Sequence, residues 1–482
     1  MTFSIFSFVF LALVLILFYG IRNSARPFLL LTASLVWLGF LDLHSCIMAV
    51  ACTLATYLLS LLLDLLLRCG KQKQAVLVGN ASIFLLVLLL AVLKWASRLL
   101  PLLPFSAEAK DGLLKTLILP LGLSYYLFQA IAYLKDVSRG TLGAEKKPVH
   151  FALYMCFFPK FLSGPIERAQ FFLPQLGPLK KKKLFEKRRL SYAFSYLLYG
   201  FFMKTVVADR LGIYTRQIFS SYSLHGSLWL FLCSLMYTMQ IYCDFAGYTA
   251  IAIGTARLFG LELSQNFRTP YLASSISDFW RRWHCSLSNW LRDMIYIPLG
   301  GNRHGRLRQC INVMIVFLVC GLWHGNGLQF LVWGLLHGLY SVADILFFRK
   351  KEKKTVHKVI GGILCFGAVA FAWIFFGSED LGKALGFIRR LLTKGAPEAG
   401  LAAETAQLGI DGLEIGIILV SLLLVVLTDI VSFRAKLPFP EAIEKWGYVF
   451  RYLVFYAAIL IIFIFGVYGP GYDAGNFMYM DF

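Results

Sequence analysis

Apolar residues in this chain fall in long blocks instead of alternating or marking one helical face. Clear blocks cover roughly 3–21, 27–43, 46–67, 75–93, 113–134, 191–207, 228–243, 311–323, 328–348, 358–377, 413–430 and 449–468. An α-helix needs about 20 apolar residues to cross a bilayer core, so each block predicts a transmembrane helix. Three further stretches, 150–166, 244–262 and 270–300, are apolar but interrupted by Pro, Gly and charge. They read as re-entrant or interfacial, since irregular backbone at membrane depth persists only where protein or a water cavity satisfies it. The pattern therefore predicts an all-α, polytopic bundle of about 11–13 transmembrane segments in one integral-membrane domain over 1–482.

Composition supports this. The 482 residues are 59% hydrophobic and only 15% charged, against about a quarter charged in soluble proteins; mean hydropathy is +0.69. The ten cysteines are scattered, mostly in apolar runs and without C-x-x-C, and read as small core residues instead of a disulfide framework or a metal site. The apolar N-terminus lacks a basic leading region and a small-residue cleavage site, so it reads as a retained first span.

Net charge is +21, but the basic residues sit in short loops such as Arg68 to Lys73, Lys135 to Lys147, Lys180 to Arg189 and Arg349 to Lys354. That is the positive-inside signature, with anionic lipid and not nucleic acid as the partner. With Met1 outside, all four loops fall inside, Arg281 to Arg308 lies near the inner face, and 379–411 is an outer loop. The tract Lys180 to Lys183 is a solvated loop or a docking site for an acidic carrier protein.

Candidate chemistry centres on Gly321-Leu322-Trp323-His324-Gly325-Asn326-Gly327. An imidazole after the apolar run 313–322 is costly at bilayer depth, and such groups mark functional sites by default. His324 reads either as a packing histidine or as a general base, for which a buried neutral imidazole is suited. The second candidate is Asp278 to Asp293, where Trp280, Trp283 and Trp290 mix with Arg281, Arg282 and Arg292. Periodicity leaves two readings open there: a membrane-surface anchor, or an inward-facing His284 with arginines that bind phosphate or carboxylate. His337 lies thirteen residues after His324, roughly opposite it on a straight helix, and reads as structural. Asp244 needs a partner, expected to be an Arg of the next segment, with cavity lining as its second role. Candidate substrate-binding residues are Trp323, Asn326, Trp283, Asn289, Arg282 and Asp244. The chain has no P-loop, nucleophile elbow, HExxH or GxGxxG, and the histidines lack a third metal ligand at suitable spacing.

Several stretches together resemble the membrane-bound O-acyltransferase superfamily, in its bacterial branch of alginate-type O-acetyltransferases and D-alanyl transfer proteins. They are Leu119 to Gln129, Phe157-Phe158-Pro159-Lys160 with Gly164-Pro165-Ile166, and Tyr242 to Tyr248. Asn266 to Tyr271, Phe279 to Ser288, Tyr296 to Gly301 and Trp323-His324-Gly325 follow, so the likeness covers about 115–345. An aromatic C-terminal stretch, 477–482, adds to it, departing from relatives at the acidic Asp481. The resemblance implies a helix bundle around a central funnel that thins the membrane, with His324 at its base. His284 falls on the family's second polar position.

It further implies transfer of an acyl group to a hydroxyl outside, with no tightly bound cofactor. The donor would be acetyl-CoA or an acyl-carrier-protein thioester on the cytosolic side. Either an extracytoplasmic esterase-like partner or the polymer itself would accept the group, in a bacterial cell membrane. His324 would act as base or transient nucleophile and His284 would orient or stabilise the carbonyl. D-alanyl transfer onto teichoic acid is the nearest rival, although Arg268-Thr269-Pro270 and Gly300-Gly301-Asn302-Arg303 lean toward acetyl. A transporter or flippase would be expected to carry paired half-repeats, and no internal repeat is visible.

Overall fold

The computed structural model describes residues 5–104, 119–181, 186–348, 355–393 and 400–468, with Lys183 and single positions between 105 and 118. Among them the secondary structure is helical, without strands. Among the described residues, nine helices are long and apolar enough to cross a membrane, and α1 (Ile5–Gly20) is a shorter apolar one. The aromatic end 477–482, with Asp481, the loop 349–354 and part of the Lys180 to Lys183 tract lie outside the described residues.

The chain divides into two compact units. The first gathers the described residues of Met1–Ala193 with Ala252–Ser264. Its helices are α1, α2 (Arg26–Leu41), α3 (Leu43–Arg68), α4 (Gln72–Leu99), α5 (Leu123–Ser138) and α6 (Pro148–Cys156). Within the predicted span 113–134, the helix α5 starts at Leu123, after Pro120 and the left-handed Gly122. The interrupted stretch 150–166 is, as its Pro and Gly content suggests, a short helix followed by buried non-helical backbone. Lys160 in that stretch is 1% exposed; its ammonium bonds Gln129 of α5 and donates to the Tyr154 carbonyl at 2.6 Å. Glu167 is fully buried and accepts from the Ser264 N–H at 2.6 Å and its hydroxyl at 2.9 Å. Burial pushes the Lys160 ammonium down and the Glu167 carboxyl up, each held in part by the other's charge.

The second unit holds Phe194–Ile251 and the described residues from Gln265 onward. Here α7 (Lys187–Phe201) runs through a π turn, Phe202–Ala208, into α8 (Asp209–Ser220). α9 (Ser227–Leu258) follows, and then the short α10 (Ile276–Arg282) and α11 (Cys285–Leu291). Next come α12 (Gly305–His324), α13 (Leu328–Ala343), α14 (Thr355–Gly377), α15 (Leu381–Thr393) and α16 (Leu401–Gln407). The unit closes with α17 (Gly412–Ala435) and α18 (Tyr448–Phe465).

Burial separates the roles of these helices. The most apolar window of α9 is 67% buried, whereas no residue in that of α18 is fully buried, so α9 is a core helix and α18 a peripheral one. The expected break at 244–262 does not occur, because α9 runs through Asp244 to Leu258. Two features keep it helical: Asp244 is neutralised by a lysine, and Gly247 lets α9 approach α7 closely. A Cβ on Gly247 would stand 2.9 Å from the Gly200 carbonyl. The expected outer loop 379–411 also carries two helices, α15 and α16, since Ala384 and Phe387 give α15 a buried face.

Candidate active site

The site is built where two helical runs break. α12 ends on His324, and Gly325 continues in extended conformation before α13 starts at Leu328. The two helices then run as a tight hairpin. A Cβ on Gly334 would lie 2.4 Å from the Phe317 carbonyl, and one on Gly321 would lie 2.5 Å from the Phe330 carbonyl. Only glycine permits this approach, which holds His324 at 3% exposure inside the unit. Its ring packs on Trp323 (4.6 Å between centroids), Trp333 (4.9 Å) and Phe376 (5.1 Å).

The second break separates α10 from α11. His284 occupies the left-handed region there, with φ 42°, an uncommon conformation for a residue with a side chain. Asn266 holds the turn: its carbonyl accepts from Cys285 N–H at 2.9 Å and its Oδ1 from Ser286 N–H at 3.3 Å. The Arg268 N–H also donates to the Arg282 carbonyl at 2.9 Å. Two of the stretches picked out in the sequence, 266–271 and 279–288, therefore clamp one another. The clamp directs His284 inward at 1% exposure, against Phe245 (4.7 Å) and Trp323 (6.4 Å). Burial pushes the imidazole down to about 3, so it stays neutral near neutral pH. His284, Trp323 and His324 form one continuous run of rings.

His284 itself is thus buried inside the unit, where a surface anchor would be exposed. Trp283 is no anchor either: it is 2% exposed and packs against Phe267 (5.0 Å), Trp373 (5.1 Å) and Phe279 (5.5 Å). Arg282 bridges Asp278 at 3.0 Å and lies over Phe433. Asn326 is half-buried in the break after His324, and Asn289 is exposed on α11. Asp244, for which the sequence suggests an arginine of the next segment, pairs with Lys204 of the π turn 202–208 at 2.6 Å, and Lys204 also holds Asp209 at 2.8 Å. The π turn 202–208 carries Lys204 to its carboxylates.

His337 corrects the straight-helix argument. The break at 325–327 puts it on a different helix from His324, and both rings contact Trp333, at 4.9 Å each. Its Nδ1 accepts from Trp280 Nε1 at 3.3 Å. The sequence reading overlooked Trp333, Trp373 and Phe376. Trp333 carried a signal, since it stands four residues before His337 and so shares its helical face.

Two cavities adjoin this shell. One of about 830 Å³ is lined by Ser275, Trp280, Arg281, Arg292, Gln309 and Asp344 among others. The other, of about 820 Å³, is lined among others by Tyr242, Phe267, Arg268, Arg281, Asp429 and Lys436. Each lies one aromatic layer from the histidines: Trp280 touches Trp333 at 5.9 Å, and Phe267 touches Phe245 at 5.0 Å. Among the described residues, no three His, Cys, Asp or Glu side chains gather where a metal ion could be held.

This arrangement of helix breaks and buried histidines sits in a chain whose residues 145–378 match the MBOAT, membrane-bound O-acyltransferase family. The chain is 31% identical over 380 residues to the probable alginate O-acetylase AlgI of Pseudomonas fluorescens, covering 78% of this chain and 72% of that one. It is 33% identical over 302 residues to the peptidoglycan O-acetyltransferase of Helicobacter pylori, 57% of each. It is 30% identical over 243 residues to the teichoic acid D-alanyltransferase of Bacillus subtilis, 48% of this chain and 60% of that one. The chain belongs to the membrane-bound O-acyltransferase family, and is a multi-pass membrane O-acyltransferase.

Proposed function

We propose that this protein moves an acyl group, most simply acetyl, from a cytosolic thioester to the hydroxyl of an extracytoplasmic polysaccharide or cell-wall polymer. The bacterial inner membrane is its site of action, and a partner protein outside is the expected relay. The observation that carries the reading is the pairing of His324 at one helix break with His284 at another, both buried and joined through Trp323. His324 takes the proton of the acceptor hydroxyl as its oxygen attacks the thioester carbonyl, and the thiol leaves with a proton. His284, neutral, donates to or orients the carbonyl oxygen as negative charge develops. The surrounding Trp and Phe rings keep out water, which would otherwise hydrolyse the acyl group.

The arginine-lined cavities support the donor's entry from the face that the charge pattern places inside: phosphate or carboxylate groups of CoA or a carrier-bound cofactor suit guanidinium forks. The cofactor is then a substrate thioester, not a resident group. The names of the alginate and peptidoglycan relatives favour acetyl, and that of the Bacillus subtilis relative supplies the D-alanyl rival.

The test is polymer-bound ester released by mild base, identified by mass spectrometry, from cells carrying wild type or His324→Ala. Loss of acetate by about 100-fold or more, the scale of general-base catalysis, is expected. Loss of D-alanine instead would assign the rival substrate. Unchanged esters with the variant present in the membrane would remove His324 from the chemistry.

A further inference from the structure

Away from the paired histidines, a second constellation has the geometry of a nucleophilic site. Ser221 follows α8, His225 precedes α9, and Glu404 lies on α16. Ser221 Oγ stands 3.1 Å from His225 Nε2, and His225 Nδ1 stands 2.9 Å from Glu404 Oε1. Both distances fall within the reach that links a nucleophile to its base and the base to its orienting group. The burial is graded in the same sense: Glu404 is 2% exposed and His225 4%, while Ser221 is half-buried at the surface end.

The Glu404 oxygen that faces the imidazole also accepts from the Gly226 N–H at 3.0 Å. With Glu404 Oε1 accepting from both the Gly226 N–H and the ring, the imidazole proton sits on Nδ1 and the Nε2 lone pair is left toward Ser221. The Ser221 hydroxyl has one proton and two acceptors within reach, Nε2 and the Gln217 carbonyl at 2.7 Å. Arg390 donates to the His225 carbonyl at 2.6 Å, which pins the histidine's backbone.

We propose that Ser221, His225 and Glu404 form a second acyl-transfer site, one that accepts small carboxylic esters. In its reaction the Ser221 Oγ–acyl bond forms as the ester's C–O bond breaks. The hydroxyl proton passes to Nε2 and from there to the leaving alkoxide. Water repeats the sequence on the acyl-serine, releasing the carboxylic acid and restoring the hydroxyl. The charge pattern expects 379–411 outside, so the site faces the compartment in which an O-acylated polymer would be found.

The experiment treats the full-length membrane protein with a fluorophosphonate probe and maps the adduct by peptide mass spectrometry. It is done in wild type and in His324→Ala, so the result does not depend on the first site. An adduct on Ser221 in both is expected, absent in Ser221→Ala. In Glu404→Gln labelling should slow by at least about tenfold, well within the effect of losing the acid of a serine triad. Glu404→Gln tests orientation and could also unfold the segment. Ser221→Cys is therefore paired with Ser220→Cys, and the former should react with iodoacetamide at least about tenfold faster if His225 activates position 221. No adduct on Ser221 in folded protein, or equal thiol reactivity at the two positions, would overturn the proposal and leave the three residues as a structural tie.

Discussion

His284 combines three properties that would ordinarily be avoided together: a left-handed backbone, full burial and an ionisable ring. Strain of this kind costs about 1–3 kcal/mol and persists where surrounding structure enforces it; here Asn266 does so. The depressed ionisation of the ring has a consequence for stability. The unfolded chain binds a proton at His284 below pH 6.5, whereas the folded chain does not until about pH 3. More protons are then bound unfolded than folded, so stability falls as pH drops through that window. His284→Asn removes the titration. The fall in melting temperature between pH 8 and pH 5 is expected to be smaller in the variant than in wild type, in detergent and at equal salt. An equal fall in both would place a charged or exposed imidazole at this position.

At the scale of elements, the hairpin of α12 and α13 decides where His324 stands. Its contact is backbone on backbone, so side-chain volume at Gly334 has nowhere to go. Gly334→Leu should part the helices and shift His324 against Trp333 and Phe376. We expect acyl transfer to drop by at least about tenfold, since a displacement of about 1 Å at a reacting group can cost 100-fold. Ester formation per unit of membrane protein measures this; full activity in Gly334→Leu would show that the hairpin does not position the histidine. The buried group of Lys204, Asp209 and Asp244 is an element-level device too. It joins the π turn to α9 and allows that helix to run unbroken through an acid.

Across the whole molecule, segments far apart in sequence build the cavities: 268–282 meets 429–440 in one, and 274–292 meets 309–345 in the other. Arg281 belongs to both walls, and its side chain is 73% exposed, so removing it should leave folding intact. If these cavities admit the donor, Arg281→Ala should raise the KM for the acyl donor about tenfold, the worth of one charge-assisted hydrogen bond, with kcat nearly unchanged. Equal kinetics in wild type and variant would direct the search for the donor elsewhere.

Much of this was legible in the chain because bilayer physics leaves few alternatives. Long apolar runs have to be helices, and an imidazole beside glycines at membrane depth has few structural uses. His324 and the helical class follow from that local information, whereas His284 is left between two readings. What the sequence could not settle depended on partners distant along the chain. Whether Asp244 broke its helix turned on Lys204, forty residues earlier. The direction of His284 turned on Asn266, and the relation of His337 to His324 on a hairpin that only backbone contact reveals. Glu404 lay in a stretch that reads as loop until α15 and α16 bring it to His225. Periodicity and hydropathy report the environment each residue needs, and by themselves determined that this is a helical membrane protein with a histidine at its breaks. Only the tertiary structure decided which groups supply those environments, since burial in a low dielectric makes each polar side chain depend on the particular partner it meets.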